Sequence, residues 1–363
     1  AGLNAICTGP APGANGIDHR TTAFLHGSIR FLDETLDVWK NLAPFAAPLT
    51  TLRLIDRTGR LFRAPDMMFS ASETGEESFG SNIPNAKVTA ELLEALGDHF
   101  IPSDGVVALQ DESGGKAVVL RLADGRELHA RLVVGADGRE SFCRQSQNIP
   151  VRRWSYDQAA LVCDLRHDHP HNNACTEFHF KNGPLTLVPL PGHSSSLVWV
   201  KTPERANELK AMSDSDFIAA LTAQVGRVNG TIISAGPRAV FPLSGLIATK
   251  LTGHRLALIG EAAHVMPPIG AQGLNLGFRD IIDLAECIRN AADPGAPEVL
   301  ASYASRRKAD VWTRTCAADL LSRTLTSNLP LFQLARGIGL TILSIPGPIR
   351  RAAMRQGMSA INL

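Results

Sequence analysis

Residues Arg255–Leu284 read RLALIGEAAHVMPPIGAQGLNLGFRDIIDL, and the order of textures along that stretch decides the fold. The short apolar run Leu256 to Ile259 predicts a buried strand. It stops at Gly260-Glu261, crosses a loop rich in Pro and Gly, and enters a helix near Gly273-Leu274-Asn275. That is strand, tight loop and helix N-terminus, with an acid at the strand's C-terminal end. Glycines let backbone N–H groups approach a ligand closely. A helix start adds unpaired donors and a partial positive charge of roughly half a unit. The Glu261 carboxylate can accept from a hydroxyl, and the amides of Gly270 to Asn275 can face an electron-rich ring edge. Such a place suits a polyhydroxylated, partly anionic cofactor, although GEAAH alone reads as an ordinary strand-to-helix turn.

A second constellation lies upstream, at Val133 to Arg144: VVGADGRESFCR. A strand ends in Gly-Ala-Asp-Gly, and Ser141 can cap the helix that follows. Asp137 and Gly138 then sit at the C-terminal edge of a sheet, where α/β proteins bind ligands. The bland alternative is a turn stabilised by its Asp-Gly pair. A third candidate is Arg20, in the run Asp18 to Phe24, DHRTTAF. A guanidinium fixed near an early helix can bind a diphosphate or a ribose with two hydrogen bonds. The alternative there is a surface salt bridge.

Taken together, Gly260, Glu261, His264, Pro267, Gly270, Gln272, Gly273, Asn275 and Asp280 resemble the second flavin-contacting motif of the aromatic-ring flavoprotein monooxygenases, the p-hydroxybenzoate hydroxylase fold. The family has Asp where this chain has Glu261. The resemblance implies that Glu261 contacts the ribityl chain, and that the amides around Gly270, Gln272, Gly273, Leu274 and Asn275 lie beside the flavin pyrimidine. It also implies that Asp137 and Gly138 lie near the cofactor pyrophosphate, with Arg20 as a further cofactor contact. Pro267 and Pro268 would stiffen the wall beside the ring. His264 is either a proton relay or a packing histidine, and the loop setting favours packing. Asp18, Thr21, Thr22, Asn82 to Pro84, Tyr303, Arg306, Arg307, Asp310, Arg323 and Gln356 to Met358 narrow the resemblance to the ubiquinone-biosynthesis branch, the UbiH/UbiF-type hydroxylases. The likeness covers nearly the whole chain and is densest at 18–30, 132–144 and 255–284.

The implied activity is hydroxylation of a phenolic ring by FAD, NAD(P)H and O2 through a flavin hydroperoxide. The expected substrate is a polyprenylated phenol or quinone precursor. Two alternatives stay open: another flavin enzyme on this fold, acting on small soluble phenols or as a prenyl-group reductase, and a non-catalytic or truncated member serving in a biosynthetic complex. One family feature is absent from the sequence, the GxGxxG fingerprint that holds the ADP half of FAD. Gly9 to Gly13 is a Pro-rich loop instead. The expectation is that Ala1 to Cys7 corresponds to the family's second strand, with one βα unit of roughly 30 residues lying upstream.

Composition is that of an ordinary soluble globular protein and argues against a nucleic-acid binder. The chain has 363 residues, 44% hydrophobic and 20% charged, with a net charge of +1, and no Lys/Arg block marks a polyanion surface. The six cysteines are scattered without a CxxC pair, which predicts idle thiols. His167, His169, His171 and His179 cluster, but Pro170 and Asn172-Asn173 make that stretch read as a solvated loop rather than a metal site. Leu329 to Ile349 is apolar yet carries Arg336, two glycines and Pro346, which argues against a bilayer span. With Arg350, Arg351 and Arg355 behind it, the segment suits peripheral contact with a membrane surface, and a C-terminal pair of core helices is an equal alternative. The expected location is cytoplasmic, with such contact at the inner face of the membrane.

Strands destined for one sheet are interleaved with strands destined for another. The predicted architecture is an α/β protein with a discontinuous Rossmann-like FAD-binding domain (1–44, 85–150, 245–300) whose first βα unit is missing. An antiparallel-sheet substrate domain (45–84, 151–244) and a C-terminal helical region (301–363) complete it. Local expectations are a helix from Ala23 to Leu32, a hairpin of Leu49–Ile55 with Arg60–Arg63, and a helix over Asn85–Leu96. A meander follows at Val106–Leu109, Ala117–Leu122 and Glu127–Ala130, then a helix at Asp214–Val225 and helices throughout after Ser302.

Overall fold

The computed structural model describes residues 2–11, 13, 18–59, 65–267, 272–326, 344–345 and 347–358. It resolves into two compact units. One comprises Ala1–Ile17, Leu92–Ser155 and Ser244–Asp319; the other comprises Asp18–Glu91, Tyr156–Leu243 and Leu320–Leu363.

In the first unit, strands Val133–Gly135 (β1) and Leu256–Leu258 (β2) pair in parallel, Val133 opposite Leu256 and Gly135 opposite Leu258. Leu256, Ala257 and Leu258 are completely buried, as a parallel strand covered on both faces requires. The meander forms as the sequence predicts, with Val106–Asp111, Val118–Leu122 and Glu127–Ala130 antiparallel. Its Val118 and Leu120 join Val133, Leu256, Leu258, Leu284, Leu300 and Tyr303 in one core. Three helices complete the frame: Phe142–Ser146 (α1), Gln272–Ile288 (α2) and Pro297–Thr326 (α3). The first strand of the chain, Cys7–Gly9, pairs in parallel with Phe100–Pro102.

The second unit is built on a sheet in which Ala159–Arg166 pairs with Ser194–Lys201, and that strand in turn with Gly183–Leu190 and then Ala174–Phe180. These pairings are antiparallel, but Ala174–His179 runs parallel to Thr51–Asp56. Alternate residues Leu161, Cys163 and Leu165 face one core, the period-two pattern of a strand. Helix Asp214–Val225 lays Phe217, Leu221 and Val225 on that face. Its limits, and those of helix Asn85–Leu96, coincide with the sequence expectation.

Several expectations change. The predicted helix through Leu32 begins as a strand, Thr21–Leu25, paired with Gly80–Pro84; helix starts only at His26. The β-branched pair Thr21-Thr22 suits that strand, and long-range pairing outweighs local helical periodicity. The strand Thr51–Asp56 takes Met67–Ser70 as hairpin partner, while 60–63 lies outside the described residues. Helix Pro203–Ala211, capped by Thr202, escaped notice because its polar sequence lacks a clear apolar stripe. The C-terminal helix begins at Pro297, where proline suits a first helical turn.

The histidine stretch is a solvated loop only in part: Asp168, His169, Pro170 and Asn172 are exposed. His167, His171 and His179 are buried, bonded respectively to the His169 carbonyl and Ser195, to the Leu190 carbonyl, and to Glu177. Burial lowers the His167 pKa, and the neighbouring His171 and His193 add to it. All six cysteines are free thiols, and burial pushes those of Cys143 and Cys163 up to about 12, too high for a reactive thiolate at neutral pH. Most of the apolar segment 329–349 lies outside the described residues. Arg350, expected at a membrane surface, is instead 6% exposed, paired with Glu73 at 2.7 Å and set over the Phe69 ring. Among the described residues no helix is long and apolar enough to cross a membrane.

Gly80 shows how tightly this unit is built. Its φ is +141°, and a Cβ there would stand 2.0 Å from the Phe24 carbonyl oxygen. Gly80→Ala is expected to cost about 2–4 kcal/mol, through backbone strain and displacement of the paired strand. Urea denaturation followed by circular dichroism measures the loss.

Candidate functional site

The parallel register places the two expected acids at one sheet edge. Beyond Gly135 and Leu258, the Ile259 amide still donates to the Gly135 carbonyl at 3.0 Å, so the chains separate only after that point. One enters the turn containing Asp137 and Gly138; the other enters the short turn Gly260–Ala262. Gly260 (φ +56°) and Gly138 (φ +79°) both adopt the left-handed region that glycine tolerates best.

Each turn is fixed by side chains that the sequence motif supplies. The Asp137 Oδ2 accepts the Cys143 amide at 2.9 Å, and Ser141 Oγ accepts the Arg144 amide at 3.0 Å. These satisfy donors at the start of α1. Arg144 is 1% exposed, and its guanidinium donates to the Ala262 carbonyl at 2.7 Å and the Arg139 carbonyl at 2.9 Å. One buried cation thus ties the Asp137 turn to the Glu261 turn.

A buried carboxylate holds the second turn from behind. Asp280 Oδ2 accepts the Gly260 amide at 2.9 Å and His264 Nε2 at 2.7 Å. Its Oδ1 accepts Arg307 Nε at 2.8 Å. Since a carboxylate only accepts, His264 Nε2 carries the proton of that bond. His264 Nδ1 is buried and has no partner among the described residues. The Tyr303 hydroxyl donates to the Leu258 carbonyl at 2.8 Å, fixing the last residue of β2. Burial and the adjacent Asp280 charge raise the Tyr303 pKa far above the ordinary phenol value, so it stays a donor.

What remains open at this edge is Glu261. Its side chain is exposed and has no hydrogen-bond or ion-pair partner among the described residues. Gly273 and Leu274, in the first turn of α2, are exposed, Leu274 to 44%, while Asn275 and Pro267 are buried. A Cβ on Gly273 would meet nothing within 4 Å, so the backbone there is open to a ligand. Gln272 is half-buried and accepts Arg314 Nη1 at 3.0 Å. Pro268 and Gly270 lie outside the described residues. Arg20 belongs to the second unit. Its Nε and Nη2 donate to Asp18, each at 2.8 Å, and it stacks over Phe241. It precedes a strand, not a helix.

A carboxylate with no partner among the described residues, an open backbone at Gly273, the start of a helix and an exposed leucine fit the polyol and ring edge of a flavin. The FAD binding domain family matches residues 84–318. The chain belongs to that family. It is 33% identical to ubiquinone hydroxylase UbiL of Rhodospirillum rubrum, over 96% of this chain and 82% of that protein. It is 29% identical to the 3-demethoxyubiquinol 3-hydroxylase of Escherichia coli, over 80% and 76%. Among solved structures, HpxO of Klebsiella pneumoniae with FAD and uric acid superposes with a TM-score of 0.75, at 18% identity, over 93% of this chain and 87% of that one. That likeness shows a shared fold. The chain is therefore a flavoprotein monooxygenase of the group that contains the ubiquinone-biosynthesis hydroxylases.

The motif reading included Asp280, Arg144 and Arg307 but gave them no role. Their function as ties appears only when residues 20 to 118 positions apart come together. The buried Asp280–Arg307 pair yields a prediction. Arg307→Met leaves the Asp280 charge without its main counter-ion and is expected to cost about 3–5 kcal/mol, whereas Tyr303→Phe is expected to cost about 1 kcal/mol. Chemical denaturation of the two variants tests that ranking.

Proposed function

We propose that this protein hydroxylates the ring of a polyprenylated phenol, a precursor of a quinone, with FAD, NAD(P)H and O2. The observation that carries the reading is the exposed Glu261 carboxylate, without a partner among the described residues and held at the same strand edge as the Asp137 turn in a chain of this family. Bound FAD, once reduced by a nicotinamide, supplies the activation of O2, and one oxygen atom goes to the ring while the other leaves as water.

The chain's own residues have simpler tasks. Glu261 accepts hydrogen bonds from ribityl hydroxyls, its extra methylene relative to Asp giving the acceptor reach. The amides of Gln272, Gly273, Leu274 and Asn275 face the electron-rich edge of the flavin pyrimidine, where the start of α2 stabilises negative charge. Asp137 and Gly138 present the turn to the pyrophosphate. Pro267 contributes a rigid wall. His264 orders the Gly260 turn through Asp280 and serves as a packing residue. The relatives' names supply the substrate class, and an apolar prenyl tail agrees with contact at a membrane surface.

The test is direct. Purified protein incubated with FAD should retain the flavin's visible absorption after gel filtration. It should then consume NAD(P)H faster with a polyprenyl phenol than with a soluble phenol, and place one atom of labelled O2 in the product. Glu261→Ala should weaken FAD binding by roughly 10-fold or more, the worth of a charge-assisted hydrogen bond. Absence of bound flavin at saturating FAD would sink the proposal.

Peripheral membrane contact belongs to the same proposal. Arg351 and Arg355 in helix Pro348–Met358 are exposed and can meet anionic headgroups. Replacing both with Glu should reduce co-sedimentation with anionic vesicles by several-fold, each basic residue being worth about 1 kcal/mol at such a surface. Neutral vesicles should show no difference between the proteins.

A further inference from the structure

Both ends of the segment joining β2 to α2 are held from one face of α3. At the Gly260 end the chain of bonds runs from the Gly260 amide to Asp280 and on to Arg307 Nε. At the other end, Gln272 Oε1 accepts Arg314 Nη1 at 3.0 Å. Arg307 and Arg314 stand seven residues apart, two helical turns, and so share a face of α3.

Asp310 lies between them and bonds to both. Its Oδ2 accepts Arg307 Nη1 at 2.8 Å and its Oδ1 accepts Arg314 Nε at 2.8 Å. Arg279, from α2, approaches the same Oδ2 at 3.1 Å. Burial alone would raise the Asp310 pKa, but the Arg314 hydrogen bond and the charges of Arg279, Arg307 and Arg314 outweigh it and hold the carboxyl below the usual range. The carboxylate therefore stays ionised at neutral pH.

We propose that Asp310 is a positioning residue for the cofactor loop: by fixing Arg307 and Arg314 relative to each other, it sets the places of Gly260 and Gln272 before the cofactor arrives. The inference rests on the reading that this loop receives FAD. Asp310 touches neither Glu261 nor a reacting atom; it acts through the two arginines. Occupying the Gln272 carbonyl oxygen leaves that side chain's N–H groups as its remaining donors. Removing the Asp310 charge would leave three clustered guanidinium groups with less compensation, and both ends of the loop would loosen together.

The experiment compares wild type with Asp310→Asn, Asp310→Glu and Arg314→Gln, using Glu286→Gln, which removes only the exposed Arg306 bridge, as control. Amide hydrogen exchange is measured on cofactor-free protein for peptides 256–266 and 272–279, and the FAD dissociation constant is measured by fluorescence titration. In Asp310→Asn both peptides should exchange roughly 10-fold faster, and FAD should bind roughly 10-fold more weakly, the effect of losing about 1.4 kcal/mol. Asp310→Glu should recover much of both. Arg314→Gln should loosen 272–279 while sparing 256–266, a local signature that general destabilisation would not give, and one that stands if Asp310→Asn fails to fold. Uniform acceleration across the unit, or exchange in both peptides unchanged from the Glu286→Gln control, overturns the proposal. If wild type takes up no FAD, the flavin reading fails, while the exchange measurements still decide whether Asp310 orders the loop.

Discussion

The structure depends on the parallel register of β1 and β2. A three-residue match, Val133 to Gly135 beside Leu256 to Leu258, decides that two turns separated by more than 120 positions in sequence open at one edge. Parallel pairing has no tight-turn solution and needs long crossovers, and the strands of the second unit from Ala159 to Lys201 are threaded between. Once the register is set, the buried Arg144 guanidinium makes the two turns one object. It reaches the Ala262 and Arg139 carbonyls, acceptors that would otherwise be buried near the end of a strand and the start of a helix.

Behind this edge the protein uses buried charge, which is an expensive way to hold a loop. Asp280 and Arg307 are each 1% exposed, and removing an ion pair from water costs several kcal/mol per ion before any attraction is counted. An apolar pair of the same volume could have packed the site. It could not have accepted the Gly260 amide and the His264 imidazole together, nor given that turn one geometry. Specific hydrogen bonds to one carboxylate supply direction, and a loop that must present its own backbone to a ligand needs direction more than packing energy.

How much of this was legible follows from the range of the interactions concerned. The strand, the loop and the start of α2 are visible within thirty consecutive residues, because hydrophobic period, glycine placement and helix entry are local signals. The helices Asn85–Leu96 and Asp214–Val225 were legible for the same reason. The strand Thr21–Leu25 was not, since its partner lies near residue 80 and the adjoining sequence continues with helical spacing. The pairing of Arg20 with the Asp18 carboxylate two residues away was no more legible, since nothing in a motif distinguishes a lone cation from a paired one. The burial of His167 and His171 was hidden by Pro170 and the two asparagines, which signal a turn but not its covering. The arginine and aspartate pattern of α3 could be read as a spacing, while its attachment to Gly260 and Gln272 could not.

The two acids at the strand edge illustrate how a shared position becomes divided work. Asp137 is short, and one of its oxygens is fixed by the Cys143 amide, so its carboxylate belongs to the turn as much as to any ligand. Glu261 has one more methylene and no partner among the described residues, in a turn otherwise immobilised through Gly260, Ala262 and Asp280. A flexible acceptor on a rigid base can adjust to a hydroxylated chain, whereas a capped one can only present a fixed shape. If both were free, the edge would carry two unsatisfied carboxylates; if both were capped, it would offer no open acceptor. The extra reach of Glu261 is therefore useful only so long as the turn beneath it is held.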